Sequence, residues 1–319
     1  MLLTRVCVIF CIGIMSANCF GQLVVGTEDD NNTSISLQTP PGQGGTYAPL
    51  FQESANALAW DGNQFHGSNG LQYWTAPMNG PSTIVADFSP VVEGGDQVIA
   101  GLAYGNGTLF GSDSASTATS NTPEGIYTID AMGMTTLVFD FTVNGEDTLL
   151  DIGGLAFNSL DGLLYGTSDD PDMRGLVAID IAAQSVSLVA PYPNDESDID
   201  GLTIGEGIAY LIDDDDENPN GGGGLFYSYD LSQGTGGSFS FFEANLEASE
   251  VFSSAAFVTD GALILGDVNC DGVVNLLDVG PFVEALSTGT FNEKADLDQN
   301  GVLNLLDVGP FVELLSGGG

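Results

Sequence analysis

Four short strand-like segments recur in the same order along residues 22 to 265, with a period of about 50 residues. The first segment reads Ala55-Asn-Ala-Leu58-Ala-Trp60, then Ile99-Ala-Gly-Leu102-Ala-Tyr104, Ile152-Gly-Gly-Leu155-Ala-Phe157, Ile199-Asp-Gly-Leu202-Thr-Ile204 and Phe252-Ser-Ser-Ala255-Ala-Phe257. A turn follows, usually with glycine, and then a second segment such as Gln64–Gly67, Thr108–Gly111, Leu163–Gly166, Ile208–Leu211 or Ala262–Leu265. Third segments lie at Leu71–Trp74, Ile126–Ile129, Leu176–Ile179 and Leu225–Tyr229, and fourth segments at Thr83–Ala86, Thr136–Phe139, Val186–Val189 and Phe239–Phe242. Each run is rich in β-branched and aromatic residues and is bounded by Gly, Asn, Asp or Pro. These are strand signals, and sustained helical periodicity is missing until the last 50 or so residues.

Four strands per repeat of this length predict a β-propeller blade, which stacks on its neighbours because it cannot bury both faces alone. The chain enters at Leu23–Gly26, which matches a second segment. Ser34–Leu37 and Tyr47–Phe51 serve as third and fourth, and Phe252–Val258 supplies the missing first strand. The expectation is a mainly β fold: a five-bladed β-propeller closed by one composite sheet. A two-sheet sandwich is the structural alternative. In an up-and-down blade, the loops between second and third strands share a face with the links between blades. Acids crowd those connections: Glu28–Asp30, Asp113, Asp169–Asp172 and Asp213–Glu217 in the loops, and Glu93, Asp96, Glu146, Asp147, Asp195–Asp198 and Glu247 in the links. One face is therefore expected to be the more negative, either as solvated loops or as a cation-binding or docking surface.

The tail carries a different pattern, twice. Asp267, Asn269, Asp271, Gly272, Val273, Asn275 and Asp278 repeat as Asp296, Asp298, Asn300, Gly301, Val302, Asn304 and Asp307. Oxygen-bearing side chains thus stand at positions 1, 3, 5, 9 and 12 of a loop with Gly at position 6, the spacing of an EF-hand calcium loop. Calcium takes six to eight oxygens. In such a loop positions 1, 3, 5 and 12 supply side chains, position 7 a backbone carbonyl, and position 9 often a water. The glycine permits the sharp turn. Each loop runs into the same Asp-Val-Gly-Pro-Phe-Val-Glu helix start, at Asp278 and at Asp307.

These residues resemble a type I dockerin, the paired calcium-loop module that attaches secreted bacterial proteins to cohesin domains. The likeness spans Gly266 to Ser316 and implies a small α-helical, EF-hand-type module with two Ca2+ ions and a cohesin-like or other cell-surface protein as partner. Asp at position 12 agrees with that family. The family's small hydroxyl residues at positions 10 and 11 are replaced by Leu276-Leu277 and Leu305-Leu306. Its later basic residues are replaced by Val283-Glu284 and Val312-Glu313.

Residues 1–21 read as a secretory signal peptide. Arg5 precedes an apolar stretch, Val6–Met15, that is too short to span a bilayer, and cleavage is expected near Gly21–Gln22. The expected domains are thus 1–21, the propeller 22–265 and the calcium module 266–316. Three of the four cysteines (Cys7, Cys11 and Cys19) precede that cleavage point, which leaves Cys270 and no intramolecular disulfide. Formal net charge is −41, with three basic residues, of which Arg174 and Lys294 follow the signal. Nucleic acid and anionic lipid both require basic patches, so neither is an expected partner. At 43% apolar residues in periodic order, the chain is not expected to be disordered.

Motifs for catalysis are missing: there is no Gly-x-Ser-x-Gly, His-Glu-x-x-His or phosphate loop. His66 is the only histidine, which argues against a zinc site and assigns that residue a structural or exposed role. Acids are so abundant that no one pair marks a glycosidase. Asp130, Asp180 and Asp230 end equivalent third segments and are expected to cap turns. Trp60, Tyr73 and Trp74 are assigned to blade packing, with a sugar platform as the alternative. The favoured function is a secreted or cell-surface binding or scaffold protein, with no catalytic residues assigned. The alternatives are an extracellular polysaccharide-degrading enzyme, by association with dockerins, and a cation-dependent propeller hydrolase such as a lactonase.

Overall fold

The computed structural model describes residues 22–27, 35–38, 46–47, 53–77, 81–88, 98–113, 123–143, 146–147, 150–193, 196, 199–213, 225–243, 252–258, 265–266, 268, 274, 276–288, 294–298 and 302–317. They fall into two compact units, Gly21–Ala262 and a second that contains Leu263–Gly319.

The described residues of the first unit are mainly β. Its opening strands are β1 (Gln22–Thr27), β2 (Ile35–Gln38) and β3 (Thr46–Tyr47). Four antiparallel sheets of consecutive strands come next. They are β4 (Ala57–Trp60) to β7 (Thr83–Asp87), with β5 (Gln64–Ser68) and β6 (Gln72–Pro77) between, then β8 (Ile99–Gly105), β9 (Thr108–Asp113), β10 (Gly125–Ile129) and β11 (Thr135–Asp140). A short pair, β12 (Thr142–Val143) and β13 (Glu146–Asp147), separates these from β14 (Ile152–Phe157), β15 (Leu164–Ser168), β16 (Gly175–Asp180) and β17 (Ser185–Ala190). The last set is β18 (Gly201–Gly205), β19 (Ile208–Ile212), β20 (Leu225–Asp230) and β21 (Ser240–Glu243). The final strand, β22 (Phe252–Val258), turns back and pairs with β1, giving the order β22-β1-β2-β3. The register runs from Gln22 opposite Val258 to Gly26 opposite Ser254.

The apolar side chains pack between sheets, and this packing arranges the sheets as a β-propeller. Val24, Ala256 and Val258 of the composite sheet meet Leu58, Phe65 and Trp74. Ala57 and Tyr73 meet Ile99 and Leu102, and Ile126 and Phe139 meet Leu155 and Val177. Tyr165 and Leu176 meet Leu202 and Tyr227, and Tyr210, Ile212 and Phe226 return to Leu23, Val25 and Phe252. The first strands also stand beside one another, β22 by β4, β4 by β8, β8 by β14, β14 by β18, and β18 again by β22. Each sheet so hides the apolar face its neighbour exposes, as the repeat requires.

Small residues permit this close approach. A Cβ on Gly154 would press on the backbone of Asp200 and Leu202, and one on Gly67 would enter the ring of Trp74, which is fully buried. Asp130, Asp180 and Asp230 cap turns as expected. Asp130 accepts from the amides of Met132 (2.8 Å) and Met134 (2.9 Å), Asp180 from Ala183 (2.9 Å) and Asp230 from Ser232 (3.0 Å).

Some expectations are corrected. The segment at Glu146-Asp147, read as a plain link, forms the β12–β13 ladder, and the sequence Asn144-Gly145 between them is a hairpin signal. After Asp230, Leu231–Gly236 forms short 3-10 turns that meet at a kink at Gly234. Asp113 and Asp213 are buried, at 1% and 3% exposure, and do not join a solvated acidic surface. Asp113 still lies within the ladder, opposite Gly125 and Ile99. Glu28–Asp30, Glu93, Asp96, Asp195, Asp198, Asp214–Glu217, Glu247 and Ala262–Ile264 lie outside the described residues.

In the second unit, a 3-10 turn (Leu276–Asp278) leads into α1 (Val279–Thr288), and α2 spans Val308–Gly317. Phe282 and Phe311, equivalent in the two repeats, stack at a centroid distance of 4.1 Å in a small core with Val268 and Ala295. Among the described residues no helix is long and apolar enough to cross a membrane.

Two outcomes test this packing. Gly67→Ala should destabilise the body by about 1–3 kcal/mol, because the added methyl overpacks the Trp74 site; thermal melts of the variant and the parent measure it. Deleting residues 22–38 removes β1 and β2 and should abolish cooperative unfolding of the body, because β22 and Phe226 lose their partners. Retention of the parent's melting transition would refute the packing scheme.

Candidate functional site

The tail loops place carboxylates together. Asp296, Asp298 and Asp307 each offer an oxygen, and these atoms lie within 4.8 Å of one another. Asp296 and Asp307 are buried, while Asp298 is exposed. Backbone amides hold Asp307 in place: Asn304 donates to Oδ2 at 2.8 Å and Asp298 to Oδ1 at 3.2 Å. Asn304 is fixed in turn, accepting from the Leu306 amide at 2.8 Å and donating from Nδ2 to the Val302 carbonyl at 3.0 Å. Asp307 also opens α2, its carbonyl accepting from the Phe311 amide at 3.0 Å. Three carboxylates at this spacing repel one another unless a counter-charge joins them, and an all-oxygen donor set suits a hard divalent cation. Of the residues expected to bind metal, the structure brings together Asp296, Asp298 and Asp307, with Asn304 and Val302 hydrogen bonded beside them. In the first loop Asp278 is fully buried, as its counterpart Asp307 is. Asp267, Asn269, Asp271, Val273, Asn275 and Asn300 lie outside the described residues.

A second polar group sits in the propeller, where sequence reasoning saw only a lone histidine. His66 on β5 is buried, at 7% exposure. Its Nε2 lies 2.9 Å from Asp61 Oδ2 and its Nδ1 lies 2.6 Å from the Tyr73 hydroxyl. In the neutral ring Tyr73 donates to Nδ1 and Nε2–H donates to Asp61, since an ionised carboxylate only accepts. The imidazole also lies parallel to the rings of Tyr73 and of Tyr104, the latter from the next sheet, at 5.9 and 5.8 Å. Burial pushes the Tyr73 phenol up to about 12, and the nearby charges of Asp61 and Asp130 add to that. For Asp61, burial acts to raise the pKa. Hydrogen bonds from the Gln64 amide, from His66 and from the Asn63 amide outweigh it and hold the carboxyl below its usual range. The local sequence explains part of this: Asp61 accepts from the amides of Asn63 and Gln64, both at 2.7 Å, in the turn between β4 and β5.

Asp61 also borders a cavity of 310 Å3 among the C-terminal ends of the first strands of all five sheets. Its wall includes Trp60, Tyr104, Phe157, Ile204 and Phe257, the final residues of the five equivalent first segments. Of the aromatic residues weighed from the sequence, Tyr73 and Trp74 are in the core and Trp60 is half-buried at this wall.

No family model matches the chain. No curated protein matches it either. Solved structures do overlap with it. A structural genomics protein of unknown function from Bacteroides thetaiotaomicron gives a TM-score of 0.43 at 12% identity, over 75% of this chain and 64% of that one. A protein of unknown function from Bacteroides caccae gives 0.42 at 11% identity, over 75% of this chain and 99% of that one. A streptogramin B lyase gives 0.39 at 12% identity, over 78% and 79%. Likeness at this level carries no chemistry from those proteins to this chain.

The Asp61 carboxylate provides a pH test. Its folded pKa is depressed, so its contribution to stability is present above the unfolded value near 3.8 and is lost as pH falls through the lower folded value. The stability difference between the parent and Asp61→Asn should shrink as pH falls below about 4. Denaturant unfolding across pH 2.5 to 7 measures it, and a pH-independent difference would remove Asp61 as the titrating group.

Proposed function

We propose that this chain is a secreted or cell-surface calcium-binding protein, with a five-bladed propeller as a binding or scaffold domain and a dockerin-like tail as its attachment module. The convergence of Asp296, Asp298 and Asp307 in the second tail loop carries the reading. Supporting it are the second copy of the same residue pattern and the burial of Asp278 and Asp307 at equivalent helix starts. Asp267, Asn269, Asp271, the Val273 carbonyl, Asn275 and Asp278 would hold one ion; Asp296, Asp298, Asn300, the Val302 carbonyl, Asn304 and Asp307 would hold the other. Each ion supplies the positive charge that lets its loop close, so binding free energy becomes folding free energy. The five-bladed count rests on four sheets of consecutive strands plus the composite sheet that joins β22 to β1.

The tail also favours a partner with an apolar face. Leu276 and its counterpart Leu305 are 79% and 77% exposed, and Val283 and Val312 are also exposed. These are the places where dockerins carry hydroxyl and basic residues, so the partner is a surface protein that differs from a cohesin of the cellulosomal kind. Export through the N-terminal apolar stretch would bring the chain to that surface. The roles assigned to both domains are binding roles.

Calorimetric titration of the metal-stripped chain with calcium should give about two sites. Asp307→Ala should remove one of them and lower the calcium-dependent gain in thermal stability. A full chain that takes up no calcium would overturn the reading.

A further inference from the structure

Each four-stranded sheet of the propeller has its first strand at one edge: β4, β8, β14, β18 and β22. These strands neighbour one another in a closed ring, so five sheet edges converge on one axis. An edge carries a row of N–H and C=O groups outside the ladder, and inside a protein such groups need partners. Side chains of neighbouring sheets answer some of them. Ser68 Oγ donates to the Ile99 carbonyl at 2.8 Å and Ser253 Oγ to the Ala55 carbonyl at 3.3 Å, while the Phe257 amide donates to Thr203 Oγ1 at 2.8 Å. At the N-terminal ends of the first strands lies a cavity of about 10 Å3, room for one water-sized occupant. Leu58, Leu102 and Leu155 line both this cavity and the larger one at the opposite strand ends.

The wall of the small cavity combines neutral oxygen donors with a carboxylate. It takes in Asn56, Ala100, Asp200 and Ser253, the second residues of four of the five equivalent first segments. The fifth equivalent is Gly153. A Cβ there would meet Asp200 Oδ1 at 2.6 Å, so bare backbone makes room for the carboxylate. Ser253 is buried. A second carboxylate acts on the same region. Burial pushes the Tyr192 phenol well above its usual range, and the charges of Asp169 and Asp200 both push it further. No lysine or arginine lines the cavity among the described residues. Formal net charge is −41, so the surrounding field repels anions and draws in cations.

We infer that this axial cavity is a site for one hard metal cation of calcium size, held by the Asp200 carboxylate with the side-chain oxygens of Asn56 and Ser253. The strand edges offer carbonyl oxygens toward a shell of six to eight. A cation offsets the repulsion between Asp169 and Asp200, which a water does not. One carboxylate among neutral donors makes a weak site, on the order of 10−4 to 10−3 M for calcium. An organic ligand does not fit a space of this size. Asn56, Asp200 and Ser253 lead into or belong to β4, β18 and β22, so the ion would join three sheets beside the ladder that closes the body. The inference concerns the propeller alone and does not depend on calcium in the tail.

The test uses the full chain, with terbium as the probe, calcium as competitor and sodium at matched ionic strength as control. Residues 263–319 contain neither tyrosine nor tryptophan, so terbium emission excited through those side chains reports on the propeller. Terbium should give saturable emission from a single site, and calcium should displace it where sodium does not. Asp200→Asn, checked for parent-like circular dichroism, should weaken terbium binding at least about tenfold. Should that variant fail to fold, Asn56→Ala keeps the charge and should weaken binding by a smaller factor. Calcium should also raise the tryptophan-monitored melting temperature of the parent and not of Asp200→Asn, since Trp60 and Trp74 both lie in the propeller. Emission that neither variant alters would place the ion on exposed acids and overturn the proposal. Sodium as effective as calcium would mean screening alone. No sensitised emission would leave the cavity to water. Either result would overturn it as well.

Discussion

The body depends on the hydrogen-bonded ladder between its first and last strands, β1 and β22. Each four-stranded sheet in the unit buries apolar side chains against two neighbours. An open row of such sheets would leave two apolar faces in water, each large enough to cost several kcal/mol at about 25 cal/mol per Å2. Pairing β1 with β22 brings Leu23 and Val25 onto Phe226 and Phe252 and removes both faces together. The glycines and small residues of the first strands serve the same end, since neighbouring backbones come too close for larger side chains.

Much of this was legible because strand propensity and turn chemistry are local. Alternating β-branched and aromatic runs located the strands, and glycine, asparagine and aspartate located the turns. The three capping aspartates were identified from position alone, since an aspartate at a strand end accepts amides one turn ahead whatever lies around it. The composite sheet followed from the chain entering one segment late. The β12–β13 pair was readable from the sequence Asn144-Gly145 but was hidden by the acids that follow it. What local reasoning missed depends on neighbours distant in sequence. Asp61, His66 and Tyr73 are near one another in the chain, yet only the addition of Tyr104 from the next sheet encloses the histidine. The burial of Asp113 likewise follows from its ladder partners, not from its own polarity.

The tail shows the other side of this relation. The proposed calcium loop is written in a dozen residues, so its pattern of oxygen-bearing side chains is visible without any knowledge of the rest. The same pattern says little about a partner, because the exposed side chains beside it, Leu276 and Leu305, acquire a meaning only against a complementary surface. The cavity in the propeller stands between these cases. Its wall residues are the sixth positions of five repeats, present in plain sight, but only closure of the sheets turns five separate residues into one enclosure.

The position of β22 has one more consequence. Among the described residues it is the last strand of the body, and the tail unit follows it in the chain. A ribosome that stalls early, or a protease that trims from the C-terminal side, removes the tail before it touches the sealing strand. A molecule shortened only from that side that still displays the tail therefore also holds β22. Were the tail the point of attachment, as proposed, attachment would select against molecules shortened from that side.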